Sequence, residues 1–330
     1  MDIYLVKQLE NFDLEGISCL ESAKNLLGFS AQVDSTCLFY VLLSIGIDFD
    51  IAIIDYKIRE DSKLEMAYAR SLAKKYNKKI FDIVSPRFDS NFEANARTFR
   101  MDFFKNIIKL HNYKNLILAN HLNDRLEWFL MQFTKGCALN SLLGFDAITK
   151  LDNFNIIRPF FNTSKKQILE FLHTNNIKYF IDESNNNETY LRNYFRKNFS
   201  NKLIEKYENG IKKSLNLLKN EHRILYGDCD ILNLNDKVYF FAKKDNHINL
   251  HNIDICAKKL GYVISSKQRD EILKSNYSCI IASKIVIDGN SCDIYVAKND
   301  IRYKHSKKIR ESFRIKRIPP KIRPLIEKIL

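Results

Sequence analysis

The 330-residue sequence contains no run of about 18 uninterrupted apolar residues, the length that would cross a bilayer. Its start, Met1 to Glu10, lacks a basic segment followed by an apolar one. A membrane-spanning or secreted protein is therefore not expected, and a cytoplasmic protein without a membrane partner is. Paired cysteines are missing as well. Cys19, Cys37, Cys137, Cys229, Cys256, Cys279 and Cys292 are odd in number and scattered, with no Cys-x-x-Cys, as expected of reduced thiols. His247 and His251, with Cys229 before and Cys256 after, lack the close cysteine pair that would make a zinc site of them. Glycine is scarce, at 9 residues, and no internal repeat or low-complexity segment occurs. Acid is short too: 39 Asp and Glu stand against 53 Lys and Arg, a net charge of +14.

What is present is ample core material. Hydrophobic residues make up 45% of the chain, with 23 Phe and 16 Tyr, which excludes a disordered polymer. The length suits roughly two domains of about 150 residues. The positive charge is uneven: Arg302 to Lys328 holds 11 Lys and Arg against 2 acids, or +9, leaving +5 for the rest. Such a patch suits a polyanion, above all nucleic acid, or is simply a solvated tail.

Through about residue 160, short apolar runs alternate with helix-period segments, the pattern of a parallel sheet with crossover helices. Leu26 to Ser30, Phe49 to Asp55, Lys79 to Val84 and Leu116 to Asn120 read as buried strands. Met66, Ala69, Ala73 and Tyr76 share one helix face; Ala96, Phe99, Phe103 and Ile107 share another, and Leu126, Phe129, Leu130 and Phe133 a third. A doubly wound, mostly parallel α/β sheet follows, with ligands expected at the carboxyl ends of its strands. Ser164 reads as the N-cap of a helix to about Asn175, Asp182 to Glu188 as a loop, and Tyr190 to Tyr207 and Lys212 to Tyr226 as helices. Strand-like runs Val238 to Ala242 and Ile280 to Ile287 flank a helix near Gln268 to Lys274, giving a small α+β C-terminal module. The expected domains are 1–205 and, with the helical linker, 206–330.

The first strand runs into Gly28-Phe29-Ser30-Ala31-Gln32-Val33-Asp34-Ser35-Thr36 and then an apolar helix. A tight turn at a helix N-terminus offers unpaired N–H groups and the positive end of the dipole to an anion, and Ser30, Ser35 and Thr36 add hydroxyls. Asp34 fits there through a metal ion, by orienting the loop, or as an N-cap.

Ser30 to Ser35, S-A-Q-V-D-S, resembles the S-G-G-x-D-S pyrophosphate loop of the PP-loop ATPases, whose fold is adenine-nucleotide α-hydrolase-like. Ile54 to Ser62 is similar to the H-V-N-H-G-L-R-x-x-S segment of tRNA(Ile)-lysidine synthases, and Glu93 to Arg97 with Arg100 to their E-A-x-A-R-x-x-R helix. Asn120 to Glu127 resembles H-H-x-D-D-x-x-E-T; Lys135-Gly136 and Leu142-Leu143-Gly144 resemble R-G-x-G and G-L-x-G. Arg158-Pro159-Phe160 resembles R-P-L, and Asp182 to Asn185 with Arg192 to Arg196 resembles D-x-S-N and R-N-x-x-R. The ordered set spans about 200 residues and is the specific signal. Phe313 to Leu325 is similar to that family's C-terminal ending.

The resemblance implies ATP-dependent ligation of free lysine to C2 of the wobble cytidine of a CAU-anticodon tRNA(Ile), through an adenylated cytidine, with release of AMP and pyrophosphate. It implies ATP at Ser30, Ala31, Gln32, Val33, Asp34 and Ser35, and Mg²⁺ on Asp34. Asp34, Asp124 and Glu127 are the expected catalytic groups, the last two for lysine unless they merely pair with Arg125 or Lys135. Arg97, Arg100, Arg192, Asn193 and Arg196 are expected on RNA. A homodimer is left open. Two other readings are a tRNA thiolase of the same superfamily, which needs paired reactive cysteines where only Cys137 follows the Asp124 helix, and a non-catalytic tRNA-binding relative. Ala31 and Gln32 stand where the family has two glycines; a Gln at positive φ is strained by about 1–3 kcal/mol.

Overall fold

A computed structural model describes residues 9–57, 62–88, 90–151, 153–181, 190–227, 230–235 and 237–327. Asp182 to Asn185, the end of the Ile54 to Ser62 segment before Ser62, and Cys229 lie outside them. The chain divides into two compact units, Met1–Leu218 and Lys219–Leu330. The division falls inside one helix, Asn201–Tyr226, which also holds residues 205 and 206.

In the first unit the order is β1 (Asn25–Gly28), α1 (Val33–Ser44), β2 (Asp50–Asp55), α2 (Ser62–Lys75), β3 (Ile80–Val84), α3 (Phe92–His111), β4 (Asn115–Ile117) and α4 (Leu122–Phe133). A single turn α5 (Leu139–Leu142) is followed by β5 (Ile148–Lys150), β6 (Asn155–Ile157), α6 (Lys165–Thr174), α7 (Leu191–Phe195) and α8 (Asn201–Tyr226). The six strands run β3-β2-β1-β4-β6-β5, all parallel except β5. Strand order reverses direction between β1 and β4, which opens the crevice where such sheets bind ligands.

Alternation along the strands sorts the core. Leu27, Ile51, Ile53, Ile117 and Ile157 meet α1, α2 and α6 on one face; Leu26, Ala52, Leu116 and Ile156 meet α3 on the other. Within α3 the buried positions are Ala96, Phe104, Ile107 and Ile108; Phe99 and Phe103, expected on that face, are only half-buried. The register is pinned at the opposite end of the sheet by a buried amide ladder, in which Asn155 donates to Asn115 at 3.1 Å and Asn115 to Asn25 at 2.9 Å. Between α7 and α8 the chain makes a π-helical turn, Arg196–Ser200, and α8 itself kinks at Tyr207, so the two helices expected there are differently divided.

The second unit adds β7 (Leu232–Asn235), β8 (Val238–Ala242), α9 (Asn246–Lys259), α10 (Ser266–Lys274), β9 (Cys279–Ile281), β10 (Ile285–Gly289), β11 (Asp293–Lys298) and α11 (Lys307–Ile315). Its antiparallel sheet, β7-β8-β11-β10-β9, is covered on both faces. Tyr239, Phe241, Ile285, Ile287, Ile294 and Val296 pack with α9 and α10; Val238, Val286, Tyr295 and Ala297 pack with Phe313, Ile318, Ile322 and Leu325. The basic segment after Arg302 is therefore a built layer, and the reading of it as a loose tail is overturned by its buried apolar anchors.

The expected single strand Ile280 to Ile287 is in fact a hairpin. Ala282 and Ser283 take φ 47° and 56°, the two consecutive left-handed residues that a tight hairpin turn demands, without the Asn-Gly that would have announced it.

His251, on α9, is only 7% exposed, and its ring lies 4.3 Å from Tyr226 and 5.4 Å from His222. Burial, then His222 and Lys258, push its pKa down to about 4. An unfolded chain titrates this imidazole near 6.5. The second unit thus keeps this contribution in full above about pH 6.5 and is expected to lose about 2 kcal/mol by about pH 5, because the unfolded state then binds the extra proton. Urea unfolding at about pH 7.5 and about pH 5 checks this, and His251→Phe should flatten the difference.

Candidate active site

β1 ends at Gly28, where a Cβ would lie 2.9 Å from Leu118 and 3.1 Å from Phe104. Glycine is thus used for close packing of α3 rather than in the loop that follows. In that loop the Ser30 N–H donates to Ser35 Oγ at 3.1 Å, the two serine hydroxyls lie 3.0 Å apart, and Ser35 Oγ also donates to the Gln32 carbonyl at 3.3 Å. Gln32, at φ −85° and ψ 173°, is the extended N-cap residue of α1, so the strain expected there is absent. Ala31 carries the left-handed conformation instead, φ 60°, at a cost of about 1–2 kcal/mol. Its carbonyl accepts from the Phe180 N–H at 3.0 Å, and Gln32 bridges Phe180, which holds the turn from outside. Val33 and Ser35 are buried in the first turn of α1, and Ser30 is exposed at the crevice.

Asp34 is not the helix cap. Its carboxylate accepts from Lys165 Nζ at 2.5 Å and lies 3.6 Å from His121 Nε2. Burial acts to raise its pKa, but His121 and then Lys165 outweigh it and hold the carboxyl well below its usual range. His121 follows β4 and caps α4 in a reciprocal capping box with Asp124, whose carboxylate accepts from the His121 N–H at 3.1 Å. Burial disfavours a charge on His121, yet Asp124 and Asp34 raise its pKa above the ordinary imidazole value.

One turn along α4, Glu127 is fully buried. It accepts from Arg192 Nε at 2.9 Å and from Arg196 at 2.7 and 3.1 Å, and Arg192 reaches Asp124 at 2.5 Å. The arginine forks expected on RNA are thus turned inward onto the carboxylates expected to take lysine, because both pairs recur one helical turn apart and face each other across α4 and α7. Burial acts against both guanidiniums, but the two carboxylates raise their pKa values, and Asp124, which burial would raise, is lowered by His121 and Arg192. Arg125 takes no part. It is stacked 3.8 Å from Phe161 and bonded to Phe161 O, Asn162 and Asn216, which tie α4 to α8. Asn193 is half-buried on α7, while Arg97 and Arg100 are exposed on α3.

A sequence profile of the PP-loop domain matches residues 4–203. The chain is 40% identical over 305 residues to the tRNA(Ile)-lysidine synthase of Wolinella succinogenes, covering 92% of this chain and 93% of that one. It is 40% identical over 310 residues to the Campylobacter jejuni strain RM1221 enzyme of that name, with 94% of each chain covered. The chain belongs to the tRNA(Ile)-lysidine synthase family. Among solved structures, the U34-tRNA thiolase from Methanococcus maripaludis matches with a TM-score of 0.53 and 15% identity, over 68% of this chain and 79% of that one, a likeness of fold alone.

For a lysidine synthase family member, two residues at this site had no role from sequence. Lys165 sits just after the N-cap Ser164, where Lys165 N–H also donates to Asn123 Oδ1 at 3.0 Å. Its N-cap serine announced the helix start, but only the packing of α6 on α1 aims the ammonium at Asp34. Asn120 is the other: it donates to Asp124 at 3.4 Å and accepts from Arg158 at 3.3 Å. Among the described residues no three His, Cys, Asp or Glu side chains form a metal cluster. A magnesium ion needs less than that, one or two carboxylates and the phosphates it accompanies. Asp34, kept ionised beside the loop, fits that requirement.

Proposed function

We propose that this chain uses ATP to join free lysine to C2 of the wobble cytidine of CAU-anticodon tRNA(Ile). The cytidine O2 attacks the α-phosphorus and pyrophosphate leaves; the deprotonated lysine ε-amine then attacks C2, and the C2–O bond breaks with AMP. The observation that carries this reading is the loop after β1, which keeps its serine-to-serine bonds and ionised Asp34 at the strand-order reversal although both glycines are gone.

The roles follow from placement. The first-turn N–H groups of α1 and the Ser30 and Ser35 hydroxyls donate to phosphate oxygens. Asp34 would hold Mg²⁺, which when bound offsets charge on the departing pyrophosphate. Lys165, already on Asp34, is placed to pass its charge to a phosphate. Asp124, with its edge toward Asn120 and His121, receives the amine end of lysine, while Glu127 fixes Arg192 and Arg196. Arg100, exposed on α3, meets RNA phosphate. Cys37 argues against the thiolase alternative: it stands three residues past Asp34, but burial, then Asp34, keep its thiol protonated.

The exposed basic face of α11 and its following turn is proposed as a tRNA contact. Neutralising Lys307, Lys308, Arg310, Lys316 and Arg317 together should weaken tRNA binding and flatten its salt dependence, as measured by filter binding across a salt series. Unchanged binding at low and high salt would remove that contact from the account. The adenylation step is tested by incubating the chain with unmodified tRNA, ATP labelled at the α-phosphate and Mg²⁺ in the absence of lysine. Label is expected on the tRNA and should leave as AMP when lysine is added; label that never reaches the RNA contradicts the adenylated intermediate.

A further inference from the structure

Ala31 is fully buried and stands at φ 60°, a conformation in which the Cβ of an L-residue crowds the following carbonyl. Elsewhere in the first unit Asn77, Asn91, Asn112 and Asn176 take positive φ, where an asparagine amide can support the backbone by bonding to it locally. Alanine has no such group. The serine bonds of the loop do not supply the support either: they join Ser30 and Gln32 to Ser35, on both sides of Ala31, and leave the Ala31 carbonyl to the Phe180 N–H at 3.0 Å. Gln32 completes the contact as an isolated parallel bridge to Phe180. The left-handed turn of the loop is therefore held by a segment far along the chain.

That segment is itself held from α2. Tyr68, half-buried, clasps it at alternate residues: its hydroxyl donates to the Lys178 carbonyl at 2.7 Å, and its ring meets that of Phe180 edge-on, with centroids 5.7 Å apart. The Lys178 ammonium lies 5.3 Å from the Phe180 ring centroid and 6.0 Å from that of Tyr68, so the two rings share one cation. Just before them, Ile177 is buried in the core with α1, α2 and α6, which fixes where the segment starts. The clasp has two separately removable parts, the hydroxyl on Lys178 and the ring on Phe180.

We propose that Tyr68 is a positioning residue for ATP: by keeping Phe180 on Ala31 it imposes the turn that a glycine would adopt unaided. This rests on the reading of the loop as a phosphate cradle and adds to it the reason that the cradle survives with alanine. Without the clasp, Ala31 relaxes toward negative φ, and the first-turn N–H groups of α1 are no longer presented together with the Ser30 and Ser35 hydroxyls.

The test is a double-mutant cycle read by equilibrium dialysis of labelled ATP with Mg²⁺, with urea unfolding measured in parallel. Tyr68→Phe removes only the bond to Lys178, and Tyr68→Ala removes the ring as well. Each is made in the wild-type chain and beside Ala31→Gly, which reaches the left-handed turn without strain. In the wild-type chain Tyr68→Phe is expected to weaken ATP binding about threefold and Tyr68→Ala about tenfold, the scales of one hydrogen bond and of a left-handed alanine. Beside Ala31→Gly the same changes should weaken it by less than about twofold, while their effect on the unfolding midpoint stays the same in both backgrounds. Equal weakening of ATP binding in both backgrounds would overturn the assignment, because Tyr68 would then act through general packing. Unchanged ATP binding in Tyr68→Ala would overturn it too. A wild-type chain that binds no ATP would remove the cradle reading and the role of Tyr68 with it, so the wild-type arm tells the two failures apart. Tyr68→Phe keeps the ring, so it remains informative if Tyr68→Ala does not fold.

Discussion

Glu127→Ala is expected to lower the stability of the first unit by about 3–5 kcal/mol, the usual consequence of removing one member of a buried ion cluster. Glu127 is fully buried and accepts three bonds from Arg192 and Arg196. Its loss leaves two guanidiniums facing each other with only Asp124 between them. Glu127→Gln keeps the volume and one acceptor but not the charge, and should fall between wild type and alanine. Urea unfolding near neutral pH checks both, with tryptophan fluorescence as reporter, since Trp128 is the neighbouring residue and its Nε1 bonds Ser141 O at 2.9 Å. A loss below about 1 kcal/mol would mean that the cluster is solvated like a surface pair.

Asp34→Asn should act in the opposite manner, with little effect on folding and a large one on rate. The side chain is 33% exposed, and the amide is isosteric with the carboxylate. Its charge, however, is the one that offsets Lys165 and His121 at the crevice and the one available to a metal ion at the phosphates. Single-turnover adenylation of tRNA is expected to fall by about a hundredfold to a thousandfold, the range typical of removing one preorganised charge from a reacting centre. An unfolding midpoint close to that of wild type, measured in parallel, separates this loss from misfolding. Activity within about threefold of wild type would take Asp34 out of the machinery.

The parallel sheet was legible because each buried strand is a short β-branched or leucine-rich run between helix-period segments, and its alternation survives in which face each residue meets. The phosphate loop was legible from its serines and Asp34. The bearer of its strain was not: side-chain size suggested Gln32, whereas the bracing by Phe180, far along the chain, sets φ at Ala31. The acid and arginine residues were all singled out, but as separate binding groups. Their union depends on contacts between residues 65 and 69 positions apart, and that of Lys165 with Asp34 on a separation of 131, which no local pattern encodes. Arg158 was visible only as part of a motif; its burial against Asn120, Thr149 and the Asp146 carbonyl is a property of packing. In the second unit, the hairpin at Ala282 and Ser283 escaped notice because neither residue advertises a left-handed turn.

The measurement that bears most directly on the central claim is transfer of radiolabelled lysine to unmodified CAU-anticodon isoleucine tRNA in the presence of ATP and Mg²⁺, followed by digestion to nucleosides. The label is expected in a single modified cytidine from the wobble position, dependent on ATP and abolished when that cytidine is replaced by uridine. tRNA that binds the chain while lysine stays free in solution would contradict the account and leave a nucleic-acid-binding relative in its place.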